Sequence, residues 1–272
     1  MTVTAEVSRS WLLVNALSSE LMAAIPESRA DQIVIDIEDA VDPLNKDLAR
    51  DQVVSWLESK SAWVRVNDAN TTFWRDDLIA LSKAPGLKGV MLAKTEDGQS
   101  VEQTYKLLGS DLPVIPLVES ALGIENATDI AKAKGAFRLA FGSGDYRRDT
   151  GTSADDLAMS YPRTKLVLAS RIGNLPGPID GPTVGPNHSA LRQQATLAVS
   201  LGLTGKLCLD ERQTVVINET ICPTESDIVW AREFVAGFEA AGGVVRDGSD
   251  PPRLKRAEKI LNLAHALGML DN

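Results

Sequence analysis

Eight short apolar runs punctuate the chain. They are "WLLVNA" (from Trp11), "QIVIDIED" (from Gln32), "AWVRVND" (from Ala62), "GVMLAKT" (from Gly89), "PVIPLVES" (from Pro113), "FRLAFGSGD" (from Phe137), a weak "PGPIDGPT" (from Pro176) and "GKLCLDE" (from Gly205). Their β-branched content and polar borders mark them as buried strands. Between them the apolar spacing becomes helical. In "DLARDQVVSWLES", Leu48, Val53, Val54 and Leu57 form one stripe. In "SALRQQATLAVSLG", Ser189 reads as the N-cap and Gly202 as the C-terminal stop. Strands alternating with helices predict parallel βαβ units, and eight strands can close a barrel. The expected fold is therefore a (β/α)8 TIM barrel, with a doubly wound open sheet as the alternative.

Two more helices are expected near 224–241 and 253–270. The stretch between them, "AGGVVRDGSDPP", is rich in Gly, Pro and Asp and reads as an exposed loop. The predicted organisation is a barrel domain over 1–222 and a C-terminal helical extension over 223–272.

The second run continues as "QIVIDIEDAVDP" (32–43), and here the pattern conflicts with itself. Ile33, Val34, Ile35 and Ile37 belong in a core, yet Asp36, Glu38 and Asp39 crowd into the same stretch. Buried carboxylates are costly unless paired or metal-bound. Strand alternation sends Asp36 and Glu38 to one side, and Asp39 sits where strand gives way to loop. Other runs also end in charge: Arg65 in the third, Lys94 after the fourth, Glu119 after the fifth, Asp145 after the sixth, Asp180 in the seventh, and Asp210 and Glu211 after the eighth. In an α/β barrel the C-terminal strand ends converge on the face where active sites are built. A single charged strand end is ordinarily a helix cap or a solvated loop residue. Asp180 and Glu211 are read that way; Glu119, directly after an apolar run, and Asp145, after Gly-Ser-Gly, are read as site residues.

Composition narrows the chemistry. The chain of 272 residues is 44% hydrophobic, enough for one large core, and carries a net charge of -9, which argues against nucleic-acid binding. Two cysteines, Cys208 and Cys222, give no disulfide framework or metal-knuckle spacing. No apolar run approaches a membrane span, and no secretory h-region opens the sequence, so a cytoplasmic protein is expected. His188 and His265 are the only histidines, and surface or packing roles are expected for both. No G-x-S-x-G elbow, P-loop or G-x-G-x-x-G fingerprint is present. What remains is a hard cation on carboxylates, Glu119 and Asp145 with water completing the shell, which suits Mg²⁺. A basic residue for an anion completes the set, and the combination suits a chelating oxo- or hydroxy-acid.

The sequence resembles the HpcH/HpaI aldolase–citrate lyase β-subunit family over nearly its whole length. "IDIEDAVDPLNKDLAR" (35–50) is similar to that family's "LDLEDAV.P..K..AR" signature. "VRVN" matches its arginine strand at Arg65, "LVESALGIENA" its metal-glutamate segment at Glu119, and "LAFGSGDYRRDTG" its metal-aspartate segment at Asp145. "GSDPPRLKRAEKIL" aligns with its C-terminal "MID.P" segment and nominates Asp250. The resemblance implies that Glu119 and Asp145 hold Mg²⁺, and that Arg65 binds the carboxylate of a keto acid. It further implies that Glu38, Asp39 and Lys94 line the substrate site, and that Asp250 enters a neighbouring subunit's site as the acid/base. Three segments depart from the pattern. Asn15 and Ala16 stand where the family has "LFVPG"; "LAKTE" keeps Lys94 without the preceding proline; Asp210 and Arg212 in "CLDERQ" replace the His and Pro of "AIHP.Q". These departures bear on substrate identity.

The function implied is a Mg²⁺-dependent carbon–carbon lyase. It would cleave a 3-hydroxy-acyl-CoA of the citryl, malyl or citramalyl type to a keto acid, such as oxaloacetate, and acetyl-CoA. A homo-oligomer, trimer or hexamer, is expected by the same resemblance, with an acyl-carrier partner if the chain works as a citrate lyase β subunit. Two alternatives stay open: a class II aldolase acting on a free hydroxy-keto acid, and a non-catalytic subunit that binds a keto acid.

Overall fold

The computed structural model describes residues 3–185 and 187–270. Its strands are β1 (Ser10–Asn15), β2 (Gln32–Asp36), β3 (Ala62–Val66), β4 (Leu87–Leu92), β5 (Val114–Val118), β6 (Ala140–Phe141), β7 (Ile179–Asp180) and β8 (Gly205–Cys208). All pair in parallel with their sequence neighbours, and β1 pairs with β8 through Ser10 opposite Lys206, so the sheet closes into a barrel. The open-sheet alternative is excluded.

The helices are α1 (Ser19–Ala24), α2 (Lys46–Leu57), α3 (Thr72–Leu81), α4 (Gly98–Leu107), α5 (Ala121–Glu125), α6 (Ala127–Lys132), α7 (Ser143–Thr150), α8 (Asp156–Ile172), α9 (His188–Leu201), α10 (Glu211–Thr220), α11 (Glu225–Ala240) and α12 (Asp250–Ala266). The first ten surround the barrel, while α11 and α12 pack chiefly against each other. Among the described residues no helix is long and apolar enough to cross a membrane.

The alternation along each strand divides the core in two. Trp11, Val34, Trp63, Met91, Ile115, Leu117, Ala140, Ile179 and Leu207 form one buried cluster inside the barrel. Their neighbours Ile35, Val64, Val66, Val90 and Leu92 pack outward with Val53, Leu57, Leu78 and Leu81 of the helices. This fixes the parity of β2: Val34 points inward, Ile35 outward, and Asp36 inward at the C-terminal end. At the opposite end Arg138 is fully buried and donates to the main-chain oxygens of Ala5, Ser8 and Gly177 and to Thr204 Oγ1. Its guanidinium stands 5.6 Å from the Trp11 ring centre, so the N-terminal mouth is closed by packing.

Several local expectations are corrected. The buried face of α2 consists of Lys46, Ala49, Arg50, Val53 and Leu57, while Leu48 is exposed. The helix turns two charged residues toward the strand ends, so a stripe drawn through apolar residues alone is rotated off the true face. The cap of α9 is Asn187, which accepts from the N–H groups of Ser189 and Ala190; Gly202 terminates the helix in the left-handed region as expected. The 241–252 stretch is not all loop. Asp250 is buried and begins α12, with Pro251 and Pro252 in its first turn, where their missing N–H groups cost nothing.

Candidate active site

At the C-terminal mouth the inward parity of β2 and β3 brings Asp36 opposite Arg65. Arg65 Nε donates to Asp36 Oδ1 at 2.8 Å and Nη2 to Oδ2 at 2.5 Å. Burial alone would lower the guanidinium pKa, but the bonds and field of Asp36, then Glu38 and Glu119, raise it. The bidentate face of Arg65 is thus committed to Asp36. The part directed toward other acids is Nη1, 3.4 Å from Glu38 Oε2. Asp36 is the component the sequence reading left without a role. The signal was available: an acid and an arginine at the same parity on adjacent strands.

Glu38 follows the end of β2 and is buried. Its N–H donates to Asp36 Oδ1 at 2.9 Å, and its own Oε2 accepts from the Asp39 N–H at 2.7 Å. Lys94 Nζ reaches both carboxylates, Glu38 through a very short contact and Asp39 at 3.1 Å. Burial raises the Glu38 pKa more than Arg65 and Lys94 lower it. Asp39 moves the other way: burial opposes its charge, but its bond to Glu38 and the Lys94 ammonium outweigh it. The Lys94 ammonium is likewise disfavoured by burial yet raised overall by Glu38 and then Asp39. It is a fixed cation and cannot serve as a neutral amine nucleophile at ordinary pH. Its backbone is in the left-handed region (φ 49°). That conformation costs energy in a non-glycine residue and is found where a site demands it. Here it lets the Lys94 N–H donate to Glu119 Oε1 at 2.8 Å while the side chain reaches Glu38.

Glu119 follows β5 and is buried. Burial, then the field of Asp145 against the Lys94 N–H, push its pKa up to about 8. Gly142 makes room for it: a Cβ there would lie 2.2 Å from Glu119 Oε2 and 2.4 Å from Glu119 Cβ. Asp145 is not at a strand end. It lies in the first turn of α7, with Arg148 Nη2 3.3 Å from its Oδ1. Both carboxylates line one cavity of about 400 Å³, together with Lys94, Asp68, Glu96 and Asp149. Of the added acids, Glu96 accepts from Ser120 Oγ and Asp149 from the Ala121 N–H, so both are engaged at the start of α5. A groove of about 310 Å³ on the outside, lined by Glu102, Asp129 and Lys132, holds none of these side chains.

The donor set fits a hard divalent cation. Glu119 is a carboxylate whose charge the protein itself leaves poorly compensated, Asp145 is a second one, and both bear only oxygen. Among the described residues no group of three or more His, Cys, Asp or Glu stands ready as a metal cluster. Two carboxylates completed by water are the arrangement available.

Asp250 does not join this site within one chain. Its carboxylate accepts from the Arg246 N–H and Nε (2.9 and 3.1 Å) and from Nη2 (3.1 Å), covered by its own loop. Hydrogen bonds from Arg246 hold its pKa below the usual range. Asn15 ties the end of β1 to the acidic turn, donating to Ala40 O at 2.8 Å. Asp210 caps α10 and pairs with exposed Arg212. Asp180 and Glu211 have structural partners: Asp180 pairs with Arg163 (2.8 Å) and Lys206 (2.9 Å) between sheet and helix, and Glu211 accepts from Ser28 Oγ and the Arg29 N–H.

Comparison with known proteins bears on this geometry. A family model described as HpcH/HpaI aldolase/citrate lyase matches residues 9–211, and one described as HpcH/HpaI aldolase C-terminal domain matches residues 226–268. The chain belongs to the HpcH/HpaI aldolase/citrate lyase family. Among similar family members, a citrate lyase subunit beta-like protein of Deinococcus radiodurans is 30% identical, over 93% of this chain and 96% of that one. The mitochondrial citramalyl-CoA lyase of Homo sapiens is 28% identical, over 95% of this chain and 86% of that one. The crystal structure of protein CitE from Mycobacterium tuberculosis in complex with magnesium, acetoacetate and coenzyme A is 26% identical. It superposes with a TM-score of 0.80, over 96% of this chain and 99% of that one. The HpcH/HpaI relatives named are thus citrate lyase β-type proteins and acyl-CoA lyases, one of them described with magnesium and coenzyme A.

Proposed function

We propose that the chain is a Mg²⁺-dependent carbon–carbon lyase that cleaves a 3-hydroxy-acyl-CoA to a keto acid and acetyl-CoA. The observation that carries this is buried Glu119. Its charge is disfavoured by the protein, and it faces a cavity shared with Asp145 beside two fixed cations, Arg65 and Lys94. Magnesium on Glu119 and Asp145 would supply Lewis acidity to a carbonyl or hydroxyl oxygen.

The chain's own residues do the rest. Lys94 Nζ and Arg65 Nη1, both shared with Glu38, orient the keto-acid carboxylate as single-point donors, because the fork of Arg65 is already held by Asp36. Cleavage breaks the bond between C2 and C3 of the acyl group. The C3 hydroxyl loses its proton to solvent as C3 becomes a carbonyl, and C2 of the departing thioester gains one, so the reaction is proton-neutral. Asp250 of a neighbouring subunit is the group we assign to C2. Arg246 keeps it as a carboxylate, ready to take a proton in the condensation direction; in cleavage it must be protonated first.

The test is a panel of citryl-, malyl- and citramalyl-CoA with Mg²⁺, following the release of the 2-oxo acid and of acetyl-CoA. Cleavage of at least one, abolished by EDTA and restored by Mg²⁺, is expected. Release of pyruvate from a free hydroxy-keto acid, with no C–C cleavage of any acyl-CoA, would replace this reading by the aldolase one. Oxaloacetate binding without turnover of any substrate would replace it by the non-catalytic one.

A further inference from the structure

Lys46 has a buried ammonium that the chemistry above does not use. It is the first residue of α2 and only 6% exposed. A cation there faces the positive end of the helix dipole, and burial adds a further cost. Among the described residues its hydrogen bonds run to main-chain oxygens, those of Ile37 at 2.9 Å and Glu38 at 2.7 Å.

Neither carbonyl needs Lys46 to be satisfied. Ile37 O also accepts from Asn67 Nδ2, and Glu38 O from the Val41 N–H. What Lys46 adds is geometric. The two carbonyls belong to the peptide planes on either side of the Glu38 Cα. One ammonium bonded to both fixes φ and ψ of Glu38 together, and hence the direction of its side chain. The anchorage continues behind the sheet: Asn67 Nδ2 donates to Asp77 Oδ2 at 2.6 Å, and Arg50 Nε to Asp77 Oδ1 at 2.9 Å. Lys46 and Arg50 lie one turn apart on one helix face, turned toward the ends of β2 and β3 rather than to solvent.

We infer that Lys46 is a positioning residue that aims Glu38 into the mouth of the barrel by locking both peptide planes that flank it. This rests on the reading of Glu38, Lys94 and Arg65 as the keto-acid site.

A double-mutant cycle tests it, with oxaloacetate and Mg²⁺ as the titrant in calorimetry. Lys46→Met is expected to weaken binding about tenfold, the loss typical of misplacing one charged contact. Added to Glu38→Gln, it is expected to cost less than about a further twofold, because the side chain it aims is already neutralised. A merely structural role would instead make the two losses multiply, and that result overturns the inference. Should Lys46→Met not fold, Lys46→Gln, which keeps a polar group in the pocket, carries the same cycle. If the unsubstituted protein fails to bind oxaloacetate, the keto-acid reading fails first. Crystal structures of the unsubstituted and Lys46→Met proteins then decide: Glu38 still in contact with Lys94 in the variant overturns the inference, and a swung-away Glu38 supports it.

Discussion

Glu119→Gln offers a test that needs no substrate. In the unfolded chain this carboxyl ionises near 4.5; in the folded protein, burial and Asp145 hold it neutral up to about 8. A group whose folded pKa is raised contributes its full stability below the unfolded value and loses it as pH rises to the folded one. Between 4.5 and 8 the unfolded state has given up a proton that the folded state keeps, at about 1.4 kcal/mol for each pH unit. By pH 7 the metal-free protein has lost about 3 kcal/mol to this one group, on the order of 6 °C in Tm for a domain of this size. Glutamine is permanently neutral and can still accept from the Lys94 N–H. Metal-free Glu119→Gln is therefore expected to melt above the unsubstituted protein at pH 7 to 9 and level with it near pH 4. Mg²⁺ should reverse the order, raising the Tm of the unsubstituted protein and leaving that of the variant unmoved. Scanning fluorimetry from pH 4 to 9, with EDTA or Mg²⁺, reads both effects. A variant that melts lower than its parent at pH 8 without metal, or one that Mg²⁺ still stabilises, refutes the reasoning.

Three further experiments probe other parts of the structure. Gly142→Ala places a Cβ 2.2 Å from Glu119 Oε2 and must displace that carboxylate, so Mg²⁺ affinity by calorimetry should fall roughly tenfold or more while circular dichroism stays unchanged. Asp180→Asn leaves Arg163 and Lys206 buried beside a neutral partner; urea titration should show a loss of about 3–5 kcal/mol, with turnover per folded molecule retained. Mixed oligomers of Asp250→Asn and Arg65→Ala subunits should recover activity that neither variant has alone; no recovery would place Asp250 outside the neighbour's site.

The strands were legible because inward- and outward-facing core residues both had to be apolar, so each strand left a continuous run. β6 and β7 are only two residues each, and their runs were accordingly the ones most broken by Gly and Pro. Asp36 was harder. Its acid was visible, but its partner lay on the next strand, and only register makes Asp36 and Arg65 neighbours. The α2 stripe went wrong for a related reason: Lys46 and Arg50 are buried because their charges are used at the strand ends, which hydrophobic periodicity does not record. Asp145 was placed at a strand end because Gly-Ser-Gly suggested slack chain. In the structure Gly142 is instead the close-approach residue beside Glu119, and Ser143 already begins the helix. At Asp250 the two prolines suggested a loop, while their fixed φ suits a first helical turn equally well.

The closure of the barrel through Ser10 and Lys206, reinforced where Arg138 gathers the carbonyls of Ala5 and Ser8, shapes how the molecule must come together. During synthesis β1 emerges early and keeps an unpaired edge until β8 has been made, and Arg138 has no strand-end carbonyls to satisfy it until the first residues fold back. Loop closure over most of the chain is an entropic cost that no local contact repays. The nascent protein therefore carries an open strand edge for most of its translation, the exposure that chaperones recognise and that aggregation exploits.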